Sequence, residues 1–351
     1  MLDFNKRICI GDKTISLGSK TFIIAEAGVN HGGDMSVAKK MIDVAAEAGV
    51  DAIKFQNFVA EELILQDIEK APYQKKTTSA GQSQYEMLKS LEINKDQTLQ
   101  LMEYCDKKGI LFLSTPFEKS SLDMLDELGV KAFKVAATDL TNIQFLRQIA
   151  EKQKPIILSA GMCYMSEVKT AISEIHKINK NLILLQCTAN YPIRDEEANI
   201  GIVRTFMREF DMLVGYSDHS EGVGASPYAV AIGAKVIEKH FTLDKNMPGP
   251  DHMASVNPEE LKQLVLDIRK VESYIGNGIK MPTISEQMTR KSLQKSLVAT
   301  QDIKKGEHFT EENVVAKRTN GKGVSALYFD QIMGMKANKD YTRNDIIDVS
   351  N

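Results

Sequence analysis

Two histidines lie at the ends of two consecutive segments that have the composition of β-strands. His219 follows VGYSD, and His240 closes VIEKH. One histidine in such a place is commonly a hydrogen-bonded core residue, but two at neighbouring strand ends can approach a single point. Two neutral imidazoles suit a divalent transition ion such as Mn²⁺, Fe²⁺ or Zn²⁺, with water or substrate completing its ligands. The pair therefore predicts a metal site.

Two lysines lie within apolar, strand-like segments. Lys54 is part of AIKF and Lys134 is part of AFKV, so we expect both side chains to be buried rather than on the surface. A buried ammonium group without a partner is unfavourable. An anion between the two lysines, such as a phosphate or a carboxylate, would compensate both charges. The lysines therefore predict a binding site for a small anion.

These residues belong to a regular alternation of strand-like and helix-like segments. Eight short β-type segments begin at Thr21, Asp51, Ile110, Ala132, Pro155, Asn181, Met212 and Lys235. Most of them are continuously apolar and turn polar at the end, as parallel strands covered on both faces do. The intervening segments, such as SVAKKMIDVAAEAG, carry apolar residues every three or four positions and predict amphipathic helices.

Eight such units in about 250 residues match a closed (β/α)₈ TIM barrel in number and size. An open, doubly wound sheet is the alternative. Enzymes with this barrel hold their active sites at the carboxyl ends of the strands, which is where the polar residues of this sequence gather. The sequence therefore predicts an active site at one rim of the barrel.

The pattern changes after Gly276. Residues 281–293 are polar and predict a linker, and residues 294–351 have short strands and turn signals without βα alternation. We expect a catalytic barrel over residues 1–280, followed by a small β-rich domain that is too short to be very stable alone.

Composition narrows the class of protein. The chain is 43% hydrophobic and 26% charged, with a net charge of −3. This balance gives no basis for binding nucleic acid or an anionic membrane. The four cysteines lack CxxC spacing, and no apolar run approaches the length of a membrane span. We expect a cytoplasmic protein with reduced thiols.

Many blocks of the sequence, in order, resemble the sialic acid synthase family, which includes N-acetylneuraminate, legionaminate and pseudaminate synthases. These blocks are IIAEAGVNHGG, VDAIKFQ, FLSTPF, FKVAATDLTN, ILSAGM, CTANYP, GYSDHS, VIEKHFTLDK and PGPDH. The segment DIKKGEHFTEENVVAKRTNGKGVS looks like the antifreeze-like (SAF) domain of these enzymes. The resemblance covers the whole chain, and it implies a TIM barrel followed by a SAF domain.

The resemblance implies a transferase that condenses phosphoenolpyruvate with the open-chain aldehyde of an N-acylated hexosamine. The product is a nine-carbon 2-keto acid, and phosphate leaves by C–O cleavage. The cofactor is expected to be Mn²⁺, with Mg²⁺ or Co²⁺ as alternatives. We expect N-acetylneuraminate synthase, which uses N-acetylmannosamine. The alternative is legionaminate synthase, which uses 2,4-diacetamido-2,4,6-trideoxymannose. A Schiff-base aldolase acting through Lys134 and a non-catalytic carbohydrate-binding protein are more distant alternatives.

The resemblance also assigns roles to residues at matching positions. His219 and His240 would be the metal ligands. The implied catalytic residues are Glu26, Lys54, Lys134 and Asp139. The implied substrate contacts are Gln56, Thr115, Ser159, Tyr191, Ser217, Asp251 and Arg318. The family's small domain delivers the arginine that matches Arg318 to the neighbouring subunit's site, which implies a domain-swapped homodimer.

Two departures from the family pattern concern the phosphate contacts. Where the family usually has Lys-x-x-Ser-Gly-Glu, this chain has Ala137 in place of the serine and Asp139 in place of the glutamate. Ala189 stands where some members carry a polar side chain. These changes place the phosphate contacts and an acid–base role for Asp139 in question, but they leave the metal pair unaffected.

Overall fold

The computed structural model describes residues 2–70 and 83–349. By its internal contacts the chain divides into two compact units, the first ending at Gly276 and the second beginning at Asn277. Within the described ranges, no helix is both long enough and apolar enough to cross a membrane.

The chain begins with an antiparallel hairpin that the sequence analysis did not predict. Its strands are β1 (Arg7–Ile10) and β2 (Lys13–Ser16). Ile8, Ile10 and Ile15 alternate along the hairpin and are buried in a cluster with side chains from the first part of the barrel strands. The hairpin therefore fills the end of the barrel where the strands begin.

The first unit is built on eight parallel strands, one for each predicted segment. They are β3 (Phe22–Gly28), β4 (Ala52–Asn57), β5 (Leu111–Pro116), β6 (Phe133–Val135), β7 (Ile156–Ser159), β8 (Leu182–Cys187), β9 (Val214–Asp218) and β10 (Val236–His240). Their order in the sheet is β5-β4-β3-β10-β9-β8-β7-β6, and β5 and β6 also lie in contact. The sheet thus nearly closes on itself, which confirms the predicted TIM barrel.

Amphipathic helices follow the strands and cover the outside of the sheet. Their bounds are α1 (Met35–Ala48), α2 (Ala60–Leu63), α3 (Gln84–Lys89), α4 (Lys95–Lys108), α5 (Lys119–Glu127), α6 (Ile143–Glu151), α7 (Met165–His176), α8 (Gly201–Phe210), α9 (Ser226–Ala231) and α10 (Pro258–Ile275). In α1, Asp34 caps the first backbone N–H groups and Gly49 ends the helix in the left-handed conformation. The apolar positions Ala38, Met41, Ile42 and Ala45 face the core.

The second unit contains helix α11 (Ile284–Leu293), the antiparallel strands β11 (Lys295–Ala299) and β12 (Val314–Arg318), and the short helix α12 (Phe329–Ile332). Its small core includes Leu297, Phe309 and Tyr341. This arrangement agrees with the predicted β-rich domain.

Candidate active site

Side chains on the inner face of the barrel change from apolar to polar along each strand. In β10, Val236 packs in the interior cluster, and Glu238 and His240 follow at intervals of two residues. Residues two apart in a strand share a face. Lys54 follows Ala52 in β4 with the same spacing. The polar groups consequently meet at the carboxyl ends of the strands.

A cavity of about 510 Å³ lies at this end of the barrel, a size that suits a small-molecule site. Eleven of the thirteen site residues expected from the sequence line it: Glu26, Lys54, Gln56, Thr115, Lys134, Ser159, Tyr191, Ser217, His219, His240 and Asp251. The residues that the sequence resemblance assigned to one site are therefore brought together by the fold.

Glu238 lies between the two buried lysines. Its carboxylate oxygens are 3.8 Å from Lys54 Nζ and 3.5 Å from Lys134 Nζ, and the Ser217 hydroxyl donates a hydrogen bond to it at 2.9 Å. The sequence predicted buried lysines around an anion, and part of that negative charge comes from the protein itself.

Each lysine has further partners on the neighbouring strand. Lys54 Nζ is 2.8 Å from the Glu26 carboxylate and donates to the Thr115 hydroxyl at 2.8 Å. Lys134 Nζ donates to the Ser159 hydroxyl at 2.8 Å. These contacts hold both ammonium groups at the floor of the cavity.

Burial and charge pull the pKa values of these groups in different directions. Burial alone would raise the pKa of Glu238, but Lys134 and Lys54 hold it well below its usual value. Burial raises the pKa of Glu26, and the attraction of Lys54 opposes this only in part. Burial lowers the pKa of Lys134. An incoming anion would therefore stabilise the charged form of Lys134.

The two histidine rings lie next to each other in the lining of the cavity. Their ring centroids are 5.3 Å apart, and the ring planes form an angle of 62°. Burial lowers the pKa of His219 to about 4 and that of His240 well below its usual value, so both rings are neutral at pH 7. The Tyr191 ring packs against both of them, with centroid distances of 4.1 and 5.2 Å.

The nitrogen atoms of this pair fit a metal ion. His219 Nδ1 lies 2.7 Å from the Thr188 carbonyl, which can only accept, so Nδ1 carries the proton and Nε2 keeps its lone pair. His240 Nδ1 is buried without a hydrogen-bond partner among the described residues. No third His, Cys, Asp or Glu joins them as a metal-binding group within residues 2–70 and 83–349. The two imidazoles suit an ion that takes its other ligands from substrate and water.

A fully buried ion pair stands directly behind the histidines. Asp218 and Lys239 precede His219 and His240 in the chain, and their charged groups are 3.2 Å apart. Asp218 also accepts hydrogen bonds from the backbone and hydroxyl groups of Ser220 and of Ser226, the first residue of α9. Removing one partner of such a pair usually costs about 3–5 kcal/mol. The network fixes the strand ends that carry the imidazoles.

Two predicted site residues do not line the cavity. Asp139 accepts hydrogen bonds from Asn142 and Thr138, and burial raises the pKa of its carboxyl group. Its neighbour Thr138 does line the cavity. Arg318 belongs to the second unit, where it is exposed at the end of β12.

The two alanines that depart from the family pattern lie close together at the cavity. A Cβ atom built on Gly161 would be 3.2 Å from the Cβ atoms of both Ala137 and Ala189, and both alanines line the cavity. Because neither position has a polar side chain, the part of the cavity next to these two alanines has fewer hydrogen-bonding groups.

The sequence analysis missed the central position of Glu238. Its spacing of two residues from His240 puts both side chains on the inner face of β10. This spacing was visible in the sequence and could have identified Glu238 as a second inward-facing residue of β10. The position of Asp218 and Lys239 behind the histidines follows from the same rule, because they alternate with the inward-facing residues.

The chain is similar to several known proteins over most of its length. N,N'-diacetyllegionaminic acid synthase of Campylobacter jejuni is 46% identical over 331 residues, which cover 93% of this chain and 99% of the relative. The protein of the same name from Legionella pneumophila is 42% identical over 90% of each chain. A crystal structure of N-acetylneuraminic acid (sialic acid) synthetase from Leptospira borgpetersenii, in complex with citrate, has 37% identity and a TM-score of 0.74, and covers 84% of this chain and 99% of that one.

Family models match both units of the chain. Residues 294–349 match the SAF domain, and residues 41–280 match the NeuB family. These matches confirm the resemblance found in the sequence. The chain belongs to the NeuB family and carries a C-terminal SAF domain.

Proposed function

We propose that the protein condenses phosphoenolpyruvate with 2,4-diacetamido-2,4,6-trideoxymannose to form N,N'-diacetyllegionaminic acid and phosphate. The sequence analysis placed N-acetylneuraminate synthase first and legionaminate synthase second. The identity to two N,N'-diacetyllegionaminic acid synthases, 46% and 42%, favours the second reading. We adopt that acceptor for this chain.

The observation that carries the proposed chemistry is the pairing of two buried lysines with two neutral histidines in one cavity. Lys54 and Lys134 would bind the carboxylate and phosphate of phosphoenolpyruvate, with the Thr115 and Ser159 hydroxyls beside them. Charged donors of this kind form strong hydrogen bonds to phosphate and carboxylate oxygens.

The other half of the cavity would hold the sugar aldehyde. His219 and His240 would hold a divalent ion, expected to be Mn²⁺, which polarises the aldehyde and makes C1 electrophilic. Burial raises the pKa of Asp251 to about 7, so this carboxyl group can either donate or accept a hydrogen bond to a sugar hydroxyl. Glu26 and Gln56, hydrogen-bonded to each other at 3.0 Å, would orient further hydroxyls.

The reaction then balances without further reactants. C3 of phosphoenolpyruvate attacks C1 of the aldehyde, whose oxygen gains a proton. Water adds at C2, and the tetrahedral intermediate expels phosphate as the C–O bond breaks. The role of the chain is to hold both substrates in an orientation in which they can react.

A phosphate-release assay with phosphoenolpyruvate and a panel of N-acylated hexosamines tests this function. We expect release to require an acceptor, to stop with EDTA and to return with Mn²⁺. The highest kcat/KM is expected for 2,4-diacetamido-2,4,6-trideoxymannose, and mass spectrometry should identify the nine-carbon product.

Two results would contradict the proposal. A higher kcat/KM for N-acetylmannosamine than for the 2,4-diacetamido sugar would identify the protein as an N-acetylneuraminate synthase instead. The lowered pKa of Lys134 is also a property of Schiff-base lysines, so the assay includes borohydride trapping with pyruvate. A covalent adduct on Lys134, together with turnover in EDTA, would replace the synthase by an aldolase.

We further propose that Arg318 completes the site of a second subunit in a homodimer. Arg318 is an exposed residue, and the fixed fork of donors in a guanidinium group suits an oxygen-rich ligand. A mixture of the inactive variants Arg318→Ala and His219→Ala, refolded or co-expressed, is expected to regain activity, because one mixed site has both intact residues. Mixed dimers that remain inactive would contradict an action in trans.

A further inference from the structure

Seven apolar side chains form a cluster of their own beside the barrel, separate from its main cores. Each of them also lines the cavity. They are Val29, Phe58, Leu63, Met87, Leu88, Leu91 and Phe117, and we call this cluster the apolar wall. The rings of Phe58 and Phe117 pack edge to face with centroids 6.0 Å apart. The apolar wall is therefore a packed group of side chains that forms one surface of the cavity.

The apolar wall occupies one side of the cavity mouth. Its members follow the strands β3, β4 and β5, belong to the short helices α2 and α3, or, in the case of Leu91, lie just after α3. His219 follows β9 and His240 is the last residue of β10, and these two strands come after β3 in the sheet order. The site thus has a polar floor with the metal-binding pair on one side and an apolar surface on the other.

The orientation of the acceptor decides which of its carbons meets this surface. In the proposed reaction C1 lies at the histidines, because C1 is the atom that is attacked. The acetamido group on C2 stays close to this polar region, and the carbon chain carries C6 away from it. Apolar side chains offer no partner to a hydroxyl on C6, whereas they make favourable contacts with a methyl group.

We propose that the apolar wall receives the C6 methyl group of the acceptor and selects 6-deoxy sugars over their 6-hydroxy counterparts. The inference rests on the proposed function and adds the residues that set its specificity. An apolar pocket discriminates against an added hydroxyl by about one to two orders of magnitude. The selection should therefore be measurable but incomplete.

The test compares acceptors that differ at one carbon. The first pair carries acetamido groups at C2 and C4 and differs only in a methyl or hydroxymethyl group at C6. The second pair differs only in acetamido or hydroxyl at C4. We expect the kcat/KM of the wild-type protein to favour the C6 methyl acceptor by about 10- to 100-fold, with the same KM for phosphoenolpyruvate.

Leu88→Gln changes the wall with little effect on helix propensity, since Leu88 is only partly buried. This variant is expected to reduce the C6 preference to about threefold or less, because glutamine offers the hydroxyl a partner. Leu63→Gln is the second wall variant. Its C6 preference is measured in the same way and tests the inference if Leu88→Gln does not fold. Leu65→Gln is the matched control, since Leu65 is 76% exposed in the same segment and does not line the cavity.

The possible results separate this inference from the proposed function. Equal turnover of both C6 acceptors by the wild-type protein leaves the synthase standing and overturns the role of the wall. A preference that depends only on C4, or one that survives in folded wall variants, overturns it as well. Absence of phosphate release with every acceptor would remove the proposed function and the inference with it.

Discussion

The His219→Ala variant is expected to lose bound Mn²⁺ and turnover together while it keeps its fold. The imidazole faces the cavity, and its Nε2 lone pair is available to a metal. Polarisation by a metal is worth several kcal/mol of transition-state stabilisation, so turnover should fall about a thousandfold or more. Metal content by plasma mass spectrometry, Mn²⁺ titration calorimetry and thermal unfolding measure the three effects. His240→Ala should behave in the same way.

His176→Ala is the matched control for these variants. His176 ends helix α7 and pairs with Asp3 at 2.7 Å, away from the cavity residues. This variant should keep both its metal and its turnover. Wild-type metal content in the His219→Ala protein would refute the assignment of the ligands.

Lys54→Met is expected to weaken phosphoenolpyruvate binding and to destabilise the fold. The change removes the cation that lies 2.8 Å from Glu26 and 3.8 Å from Glu238, and it leaves both carboxyl groups buried. Breaking a buried pair in this way typically costs about 3–5 kcal/mol of unfolding free energy. Chemical denaturation measures this loss, and calorimetry measures the affinity for phosphoenolpyruvate.

The double variant Lys54→Met/Glu26→Gln separates the two effects. It removes both charges of the closest pair, and such neutral replacements commonly recover stability. Stability should therefore return, while the affinity for phosphoenolpyruvate stays low because the ammonium group is still missing. If both the stability and the affinity for phosphoenolpyruvate returned, the role of Lys54 would be structural and not in substrate binding.

Local patterns were sufficient to predict the barrel, the two lysines and the two histidines, whereas the family resemblance assigned the other site residues. The eight apolar segments ending in polar residues correspond to the eight strands, and residues two apart reach the same face. This rule places Lys54 and Gln56 together on the inner face of β4, and Glu238 with His240 on that of β10. The cavity was predictable because strand alternation and the direction of parallel strands are local properties.

The remaining features depend on contacts between distant parts of the chain. The N-terminal hairpin gains its stability from the barrel interior, so its short alternation gave too weak a signal. Asp139 follows β6 in the chain, but its hydrogen bonds to Thr138 and Asn142 hold it outside the cavity lining. The placement of Glu238 between two lysines also required the order of strands around the barrel.

The hairpin at the start of the chain has a consequence for the kinetics. Ile8, Ile10 and Ile15 close the barrel at the end where its strands begin. Substrates therefore enter the described cavity from the opposite end, where the strands finish. Glu238, which lies between the lysines, comes two residues before His240 on the same face of β10 and is therefore deeper in the barrel. In the proposed reaction we therefore expect phosphoenolpyruvate to bind before the sugar, and the keto acid to leave before the next molecule of phosphoenolpyruvate binds.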